Sequence, residues 1–255
     1  MRTTPRASKV RARVDQLAVV LPFEQEYFRR LGLNATYVGH PLFDSLAERV
    51  PDPAAVEAIR RKGEPVVAIL PGSRKHVVKE VLPGQLEVAR AIRDRFPRVH
   101  VGVSVASDVV SDTIRHSIRA SGVPATTYSG RNAELLTAAS LTLVASGTAT
   151  LEVAHYGSPM IVMYNGSKLM YHLFARWKLT IKHLCLINIL AERELIPEFM
   201  PYYDSTVPIG RCAIDLLSAP DRLAAMRREL AELLSGFNQP GASDRAAEMV
   251  LSMIA

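Results

Sequence analysis

The 255-residue sequence predicts an α/β fold built on a parallel sheet. Apolar runs alternate with segments of helical period from residue 64 to 200, as expected when crossover helices join parallel strands. Gly122 and Gly157 end two of these helical segments. One complete Rossmann-like, doubly wound domain is therefore predicted here, with strands at 66–70, 98–105, 141–145 and 159–164.

Proline and serine mark further helix boundaries. Pro83 is expected to restart the helical run that follows residue 74 and ends near Phe96, because a proline inside a helix removes one hydrogen bond. Two later helices are predicted near 206–218 and 220–235. A terminal helix is expected to be capped by a serine and to present one apolar set, formed by Ala247, Val250, Leu251 and Ile254.

The first residues predict a different unit. Strands at 15–21 and 35–42 flank one helix, and a single helix cannot cover both faces of a parallel sheet. We interpret this unit as the tail of a domain whose beginning is missing; the alternative is that its strands extend the edge of the main sheet. The predicted division is 1–46 as the domain remnant, 47–65 as a linker, 66–238 as the ligand-binding domain, and 239–255 as a helix that packs back on the N-terminal part.

Charge and composition limit the classes of function. A net charge of +6 suits an anionic substrate, an anionic membrane surface or nucleic acid. No zinc-ligand spacing or RNA-binding aromatic motif supports nucleic acid, so we expect no nucleic-acid partner. No apolar run of about 18 residues predicts a transmembrane helix. Cys185 and Cys212 have no metal or redox spacing, and we expect buried thiols in a reducing compartment.

Two strand ends carry candidate binding residues. Gly72, Ser73 and Arg74 follow one strand, where a glycine lets the backbone approach a ligand and an arginine can bind phosphate. An ordinary turn with an exposed arginine is the alternative. Ser146, Gly147 and Thr148 follow another strand, and small hydroxyl residues around a glycine can form a diphosphate cradle.

Glu152 lies one turn into the next helix, where a carboxylate could accept hydrogen bonds from a ribose diol. Its alternative role is to complement the helix dipole. Neither loop is a Walker loop or a GxGxxG fingerprint, which argues against ATP hydrolysis and NAD chemistry. Ser146 lacks the GxSxG context of a hydrolase, and no histidine pair has metal-ligand spacing, so we expect no metal.

Seven segments, in this order, resemble the lipid-A-disaccharide synthase family. They are LPFEQEYFRRLG (21–32), YVGHPLFD (37–44), LPGSR (70–74), ASGTATLE (145–152), GSPMIVMY (157–164), NILAERELIPEF (188–199) and GASDRAAE (241–248). The resemblance implies a two-domain GT-B fold and an inverting transfer from UDP-2,3-diacylglucosamine to 2,3-diacylglucosamine 1-phosphate, with UDP as the second product. It also implies no cofactor and no metal.

The resemblance implies UDP-binding roles for particular residues. They are Gly72, Ser73, Arg74, Ser146, Gly147, Thr148, Glu152 and Asn188, with Arg193, Glu194 and Glu198 as weaker candidates. The sequence departs from the family where Ile187 replaces a proline and Glu192 a glycine, which puts UDP affinity in doubt. The family's acceptor domain normally precedes residue 15 and is expected to hold the catalytic base, so no base is named in this chain.

Several partners follow from the same resemblance. UDP-diacylglucosamine and an acylated glucosamine phosphate are the implied substrates, and a homodimer or a separate N-terminal half is an expected partner. Residues 168–182 have the composition of an interfacial helix on anionic lipid, or of ordinary packing. We expect a cytoplasmic protein, peripheral on the inner membrane. The alternatives are an inactive nucleotide-sugar-binding module and another UDP-N-acetylglucosamine-using GT-B enzyme, such as an epimerase.

Overall fold

The computed structural model describes residues 5–166 and 183–254. The proposed interfacial segment 168–182 lies outside these ranges. The chain divides into two compact units, which are Met1–Val50 with Leu234–Ala255, called unit 1, and Pro51–Leu233, called unit 2. Within the described ranges, no helix has both the length and the apolar character needed to cross a membrane.

The strands are β1 (Leu17–Val19), β2 (Ala35–Tyr37), β3 (Val66–Leu70), β4 (His100–Val105), β5 (Thr126–Ser129), β6 (Leu141–Ala145), β7 (Met160–Met163) and β8 (Glu198–Phe199). The described helices are α1 (Pro5–Arg11), α2 (Pro22–Arg30), α3 (Leu42–Ala47), α4 (Pro53–Arg60), α5 (Lys75–Arg95), α6 (Asp108–Ser121), α7 (Asn132–Ala138), α8 (Ala149–His155), α9 (Leu186–Leu190), α10 (Val207–Leu217), α11 (Pro220–Ser235) and α12 (Ala242–Leu251).

Unit 1 contains a two-stranded parallel sheet in which β1 pairs with β2, Leu17 opposite Ala35. In the described residues these strands pair with each other and not with the larger sheet, so the alternative that they extend its edge is wrong. The second strand is also shorter than predicted. It ends at Tyr37, and α3 begins at Leu42 because His40 and Pro41 start a new helix there, with the Leu42 N–H donating to Nδ1 of His40.

Asp44 caps the start of α12. Its carboxylate accepts hydrogen bonds from the backbone N–H groups of Gly241 at 2.6 Å, Ala242 at 3.0 Å and Ser243 at 2.9 Å. The Ser243 hydroxyl donates to the same carboxylate at 2.7 Å. These bonds satisfy N–H groups that have no partner inside a helix. The prediction of a serine cap is therefore wrong, because Gly241 occupies the N-cap position, Ser243 lies within the first turn, and the side chain that accepts the N–H groups belongs to α3.

Arg245 makes a second connection between the same two segments. Its guanidinium donates to the Val38 carbonyl at 2.8 Å and to the Pro240 carbonyl at 3.1 Å. Gly39 has φ +91°, and a Cβ there would lie 2.6 Å from Nη2 of Arg245. Only glycine fits this position, because it accepts a positive φ and leaves room for the guanidinium. The motifs YVGHPLFD and GASDRAAE are therefore structural partners.

The α12 surface differs from the sequence prediction. Val250, Leu251 and Ile254 were expected to form one apolar face, yet their exposed fractions are 56%, 59% and 77%. Ala242 is the buried residue of this helix. The helix is fixed by hydrogen bonds at its first turn rather than by an apolar stripe along its length.

Unit 2 is built on a six-stranded parallel sheet in the order β5-β4-β3-β6-β7-β8. The chain starts in the middle at β3, moves outward through β4 and β5, and then returns to the other side of β3 as β6. The order reverses between β3 and β6, where Leu70 lies opposite Val144. This is the doubly wound order that the sequence predicts, and ligands of such sheets bind beyond the carboxyl ends of the strands at the reversal.

The core of unit 2 lies on both faces of this sheet. Every residue of β3, β4, β6 and β7 is buried. Valine occupies every second position from 99 to 105, yet β4 has no exposed face, because helices cover both faces of the sheet. Three features differ from the sequence prediction: α5 runs unbroken through Pro83, and α9 and β8 were not predicted.

Candidate functional site

Two loops meet at the point where the strand order of unit 2 reverses. One loop follows β3 and contains Gly72, Ser73 and Arg74; the other follows β6 and contains Ser146, Gly147 and Thr148. The strands before them are hydrogen-bonded neighbours. A Cβ built on Gly72 would lie 3.8 Å from the side chain of Ala145, the last residue of β6, so the β3 loop passes close to the point where the β6 loop begins. The structure thus brings together the two segments that the sequence singled out separately.

Backbone conformation explains both glycines. Gly72 has φ +102°, and its added Cβ would lie 3.0 Å from Cγ1 of Val77, closer than an ordinary contact. Gly147 has φ +141°, and an added Cβ would meet nothing within 4 Å. An L-residue is strained at either position. At Gly147 the backbone therefore borders open space, and a side chain would fill that space.

The β3 loop leads into α5, a helix of 21 residues. The first N–H groups of a helix have no acceptor within it, and the aligned peptide dipoles favour an anion there. Ser73 and Arg74 are exposed, and Arg74 is the residue that precedes the helix. In the described parts of the chain, Arg74 forms no ion pair. Its guanidinium is available to an anionic ligand.

Gln85 holds the two strands together beneath the loops. It lies on α5, is fully buried, and donates from Nε2 to the Leu70 carbonyl at 3.4 Å and to the Leu143 carbonyl at 3.1 Å. One amide thus bridges the last residue of β3 and a residue two positions before the end of β6. Sequence reasoning missed this residue, although a glutamine on the apolar face of a predicted helix is a usable signal.

Glu152 lies on α8 and is half-buried. Its Oε1 accepts a hydrogen bond from Nδ2 of Asn132 at 3.3 Å. Oδ1 of Asn132 accepts in turn from the hydroxyl of Ser104 at 2.6 Å. A side chain at the end of β4 is therefore connected through α7 to the candidate ribose-binding acid. Neither Ser104 nor Asn132 was predicted from the sequence.

Asn188 is fully buried, and its amide is used within the protein. Oδ1 accepts from the N–H groups of Leu195 and Ile196 at 2.9 and 3.0 Å. Nδ2 donates to the Ile196 carbonyl at 2.9 Å and to Glu198 at 3.1 Å. Contact with UDP would break these bonds, so the geometry gives no support to the prediction that Asn188 binds the nucleotide. It supports a residue that holds the 195–198 segment.

Glu198, a weaker candidate, stabilises the start of α9. Its carboxylate accepts from the N–H groups of Leu184 at 3.1 Å and Cys185 at 2.9 Å, and His183 lies 3.9 Å away. These contacts tie β8 to the first turn of α9.

Burial raises the pKa of the Cys185 thiol to about 11, so this cysteine is an inert core residue.

The other two weaker candidates lie beside α11. Arg193 forms an ion pair with Glu229 at 2.6 Å, and both side chains are exposed. Glu194 lines a surface cavity with Arg222 and Met226. Among residues 5–166 and 183–254, no hydrogen bond or ion pair joins either residue to the two loops. Within the residues that the structure describes, no cluster of histidine, cysteine and acidic side chains could hold a metal ion.

Glu192 has φ +54° and is exposed. It follows the last residues of α9, and its N–H donates to the Ile189 carbonyl at 3.2 Å. This left-handed position after a helix is the one that glycine favours. The glycine expected from the resemblance is thereby explained, and this chain carries a strained residue in its place.

A family model described as lipid-A-disaccharide synthetase matches residues 3–250. The chain belongs to the lipid-A-disaccharide synthase family. A family member named lipid-A-disaccharide synthase from Syntrophus aciditrophicus (strain SB) is 34% identical over 246 residues, which are 94% of this chain and 63% of that protein. The one from Myxococcus xanthus (strain DK1622) is 32% identical over 254 residues, 98% of this chain and 65% of that protein. The chain therefore spans slightly less than two thirds of the length of each of these two relatives.

Two solved structures share the fold of this lipid-A-disaccharide synthase family member. WaaG, a glycosyltransferase involved in lipopolysaccharide biosynthesis, has a TM-score of 0.57 at 15% identity, covering 91% of this chain and 62% of that one. A mutant of S. aureus TarM, crystallised with UDP, has a TM-score of 0.57 at 11% identity, covering 94% of this chain and 44% of that one. The predicted GT-B type of α/β fold is confirmed.

Proposed function

We propose that this chain supplies the donor-binding half of a lipid-A-disaccharide synthase. The donor is UDP-2,3-diacylglucosamine, and the acceptor is 2,3-diacylglucosamine 1-phosphate. The observation that carries the proposal is the meeting of the β3 and β6 loops at the reversal of strand order, with Arg74 free of ion pairs among the described residues. The names of the relatives support the choice of substrates.

Each part of the site has a role in this proposal. The N–H groups at the start of α5 and the guanidinium of Arg74 bind the diphosphate, and Ser73 adds a hydroxyl. Gly72 supplies the positive φ of the β3 loop, and Gly147 leaves room for phosphate oxygens, flanked by Ser146 and Thr148. Glu152 accepts hydrogen bonds from the ribose. We assign Asn188 and Glu198 to positioning the 195–198 segment instead of to ligand contact.

The transfer proceeds as one displacement. The 6-hydroxyl oxygen of the acceptor forms a bond to C1 of the donor sugar while the bond from C1 to the UDP oxygen breaks. The electron pair of that bond leaves on the β-phosphate, and attack from the opposite face inverts C1. Arg74 and the α5 amides stabilise the charge that develops on UDP, so the proposal requires no metal. The base that takes the hydroxyl proton is assigned to the part of the relatives outside this chain.

Calorimetry with UDP tests the site. The wild-type chain is expected to bind UDP with a micromolar Kd, and Arg74→Ala and Glu152→Ala are each expected to raise it at least about tenfold, since hydrogen bonds to charged groups contribute about 1.5–3 kcal/mol. Arg98→Ala is the matched control, because Arg98 is an exposed arginine before β4, at the opposite end of the sheet. Unchanged UDP affinity in both site variants would overturn the proposed site.

Transfer itself needs a second assay. The chain should form disaccharide only when it is combined with the acceptor-binding part of a relative, supplied as a separate polypeptide or as a fusion. UDP binding without transfer in that combination would favour the alternative of a nucleotide-sugar-binding module. A homodimer and attachment to the membrane surface stay predictions.

A further inference from the structure

The hydrogen-bonded chain from Ser104 through Asn132 to Glu152 is not accounted for by the UDP site alone. Ser104 is buried at 4% exposure on β4, whereas Glu152 is half-buried on α8. In the sheet, β3 separates β4 from β6, the strand that precedes α8. Asn132 therefore connects β4 and α8, which lie on opposite sides of β3 and the loop that follows it.

The chemistry of the three groups fixes the direction of both bonds. The Glu152 carboxylate is an acceptor only, so the Asn132 group facing it at 3.3 Å is the NH₂ group. The carbonyl oxygen of Asn132 then faces Ser104, and the hydroxyl must donate to it at 2.6 Å. A rotation of the amide by a half-turn would place two oxygens together. Asn132 thus has one orientation, which the Glu152 carboxylate sets and the bond from the buried Ser104 hydroxyl reinforces.

This arrangement leaves the two oxygens of Glu152 unequal. Oε1 is engaged by Asn132, and Oε2 has no hydrogen bond within the described residues. A half-buried carboxylate held by one oxygen has a restricted rotamer, so its second oxygen occupies a defined position. A carboxylate that distinguishes one ribose hydroxyl from the others must hold its accepting oxygen at a defined position.

We propose that Asn132 is a positioning residue that orients Glu152 to read the ribose of the bound nucleotide, with Ser104 holding Asn132 in place. The inference rests on the proposed UDP site and adds to it a determinant of ribose over deoxyribose. Glu152 accepts from the ribose diol in this arrangement, and Asn132 touches the carboxylate and not the nucleotide. Loss of Asn132 releases the carboxylate to rotate, so the contribution of the 2′-hydroxyl to binding falls.

Calorimetry with UDP and 2′-deoxy-UDP tests this role in the full chain. The wild type is expected to bind UDP at least about tenfold more tightly than 2′-deoxy-UDP. Asn132→Ala should reduce this ratio to about threefold or less, and Ser104→Ala should change it in the same direction by a smaller factor. Glu134→Gln, on the same helix as Asn132, is the control and should keep the wild-type ratio. If Asn132→Ala does not fold, Ser104→Ala is the variant that tests the positioning role.

The outcomes separate the two proposals. The positioning role is supported if the ratio of UDP affinity to 2′-deoxy-UDP affinity falls in the Asn132 and Ser104 variants and is kept in the control. A general loss of structure would instead weaken the binding of both nucleotides equally. UDP binding with an unchanged ratio in both variants, or no preference in the wild type, overturns the role of Asn132 and leaves the UDP site standing. No UDP binding by the wild type overturns both.

Discussion

Asp44 and Ser243 lie 199 positions apart in the sequence, and two hydrogen bonds join them. The Asp44 carboxylate is the acceptor of both, from the Ser243 backbone at 2.9 Å and from its hydroxyl at 2.7 Å. The same contacts, the Ser243 hydroxyl first, lower the pKa of Asp44 from 3.8 to about 2. The start of α12 therefore depends on an ionised side chain in α3.

Replacing Asp44 should open α12. Asp44→Ala removes the acceptor of three N–H groups, and we expect a local loss of about 1–2 kcal/mol, typical of a lost helix cap. Hydrogen exchange of α12 amides at pH 7 should then be roughly 5 to 30 times faster than in the wild type. Ser45→Ala, one position along α3, should leave this exchange unchanged. Equal protection in Asp44→Ala and the wild type would contradict the capping role.

The effect of Asp44 should depend on pH. Its pKa is lower in the folded state, so its stabilisation is present above about pH 4 and is lost as the pH falls from 3.8 towards 2. The difference in α12 protection between the wild type and Asp44→Ala should therefore shrink across this range. A difference that persists at pH 2 would show that the stabilisation does not come from the carboxylate.

Glycine at position 192 should stabilise the protein. Glu192 has φ +54°, where a residue with a side chain costs about 1–2 kcal/mol relative to its usual conformation. Glu192→Gly is expected to raise Tm by roughly 2–4 °C, as for a gain of about 1 kcal/mol in a chain of this size. Glu192→Gln removes the charge and keeps the strain, so its Tm should stay near that of the wild type. A larger gain from glutamine than from glycine would assign the effect to charge.

Loss of the Asn188 amide should destabilise unit 2. Asn188→Ala leaves the buried N–H group of Ile196 without an acceptor and that of Leu195 with only the Arg193 carbonyl, and the free energy of unfolding should fall by about 1–3 kcal/mol. Arg193→Ala removes only an exposed ion pair and should cost less than about 1 kcal/mol. Urea unfolding measures both. A stable Asn188→Ala variant that has lost UDP binding would restore Asn188 as a ligand residue.

Alanine at two glycines should separate binding from backbone strain. Gly147 and Gly157 both have positive φ, +141° and +66°, and an added Cβ meets nothing within 4 Å at either one. Both variants should therefore lose stability by about 1 kcal/mol or more. Only Gly147→Ala should also weaken UDP binding, by at least about tenfold, because its methyl group enters the open space beside the β6 loop that the proposal assigns to the diphosphate. Equal UDP affinities in the two variants would remove Gly147 from the site.

Local sequence determined the central strands well. The predicted boundaries 66–70 and 141–145 agree with β3 and β6, since each is a short apolar run next to turn residues. The two loops after these strands were predicted for the same reason. Their meeting follows from the strand order, which brings β3 and β6 side by side.

Contacts between distant residues could not be predicted in this way. The family resemblance gives Asn188 a role in UDP binding, and the local sequence does not show that its amide is buried and bonded to the backbone of residues 195 and 196. Ser104 and Asn132 lie 28 positions apart and meet only through the packing of β4 against α7. Val250 and Leu251 show a second kind of error. Helical spacing predicts that they belong to a buried apolar face, but the structure leaves both side chains exposed.

The cap that Asp44 provides has a consequence for biosynthesis. A ribosome adding about 5–20 residues per second needs roughly 10–40 s to travel the 199 positions between Asp44 and Ser243. All of unit 2 is synthesised during that interval, so its sheet can assemble before unit 1 receives α12. The Asp44 carboxylate stays unpaired in the nascent chain until residues 241–243 follow, and their arrival completes unit 1.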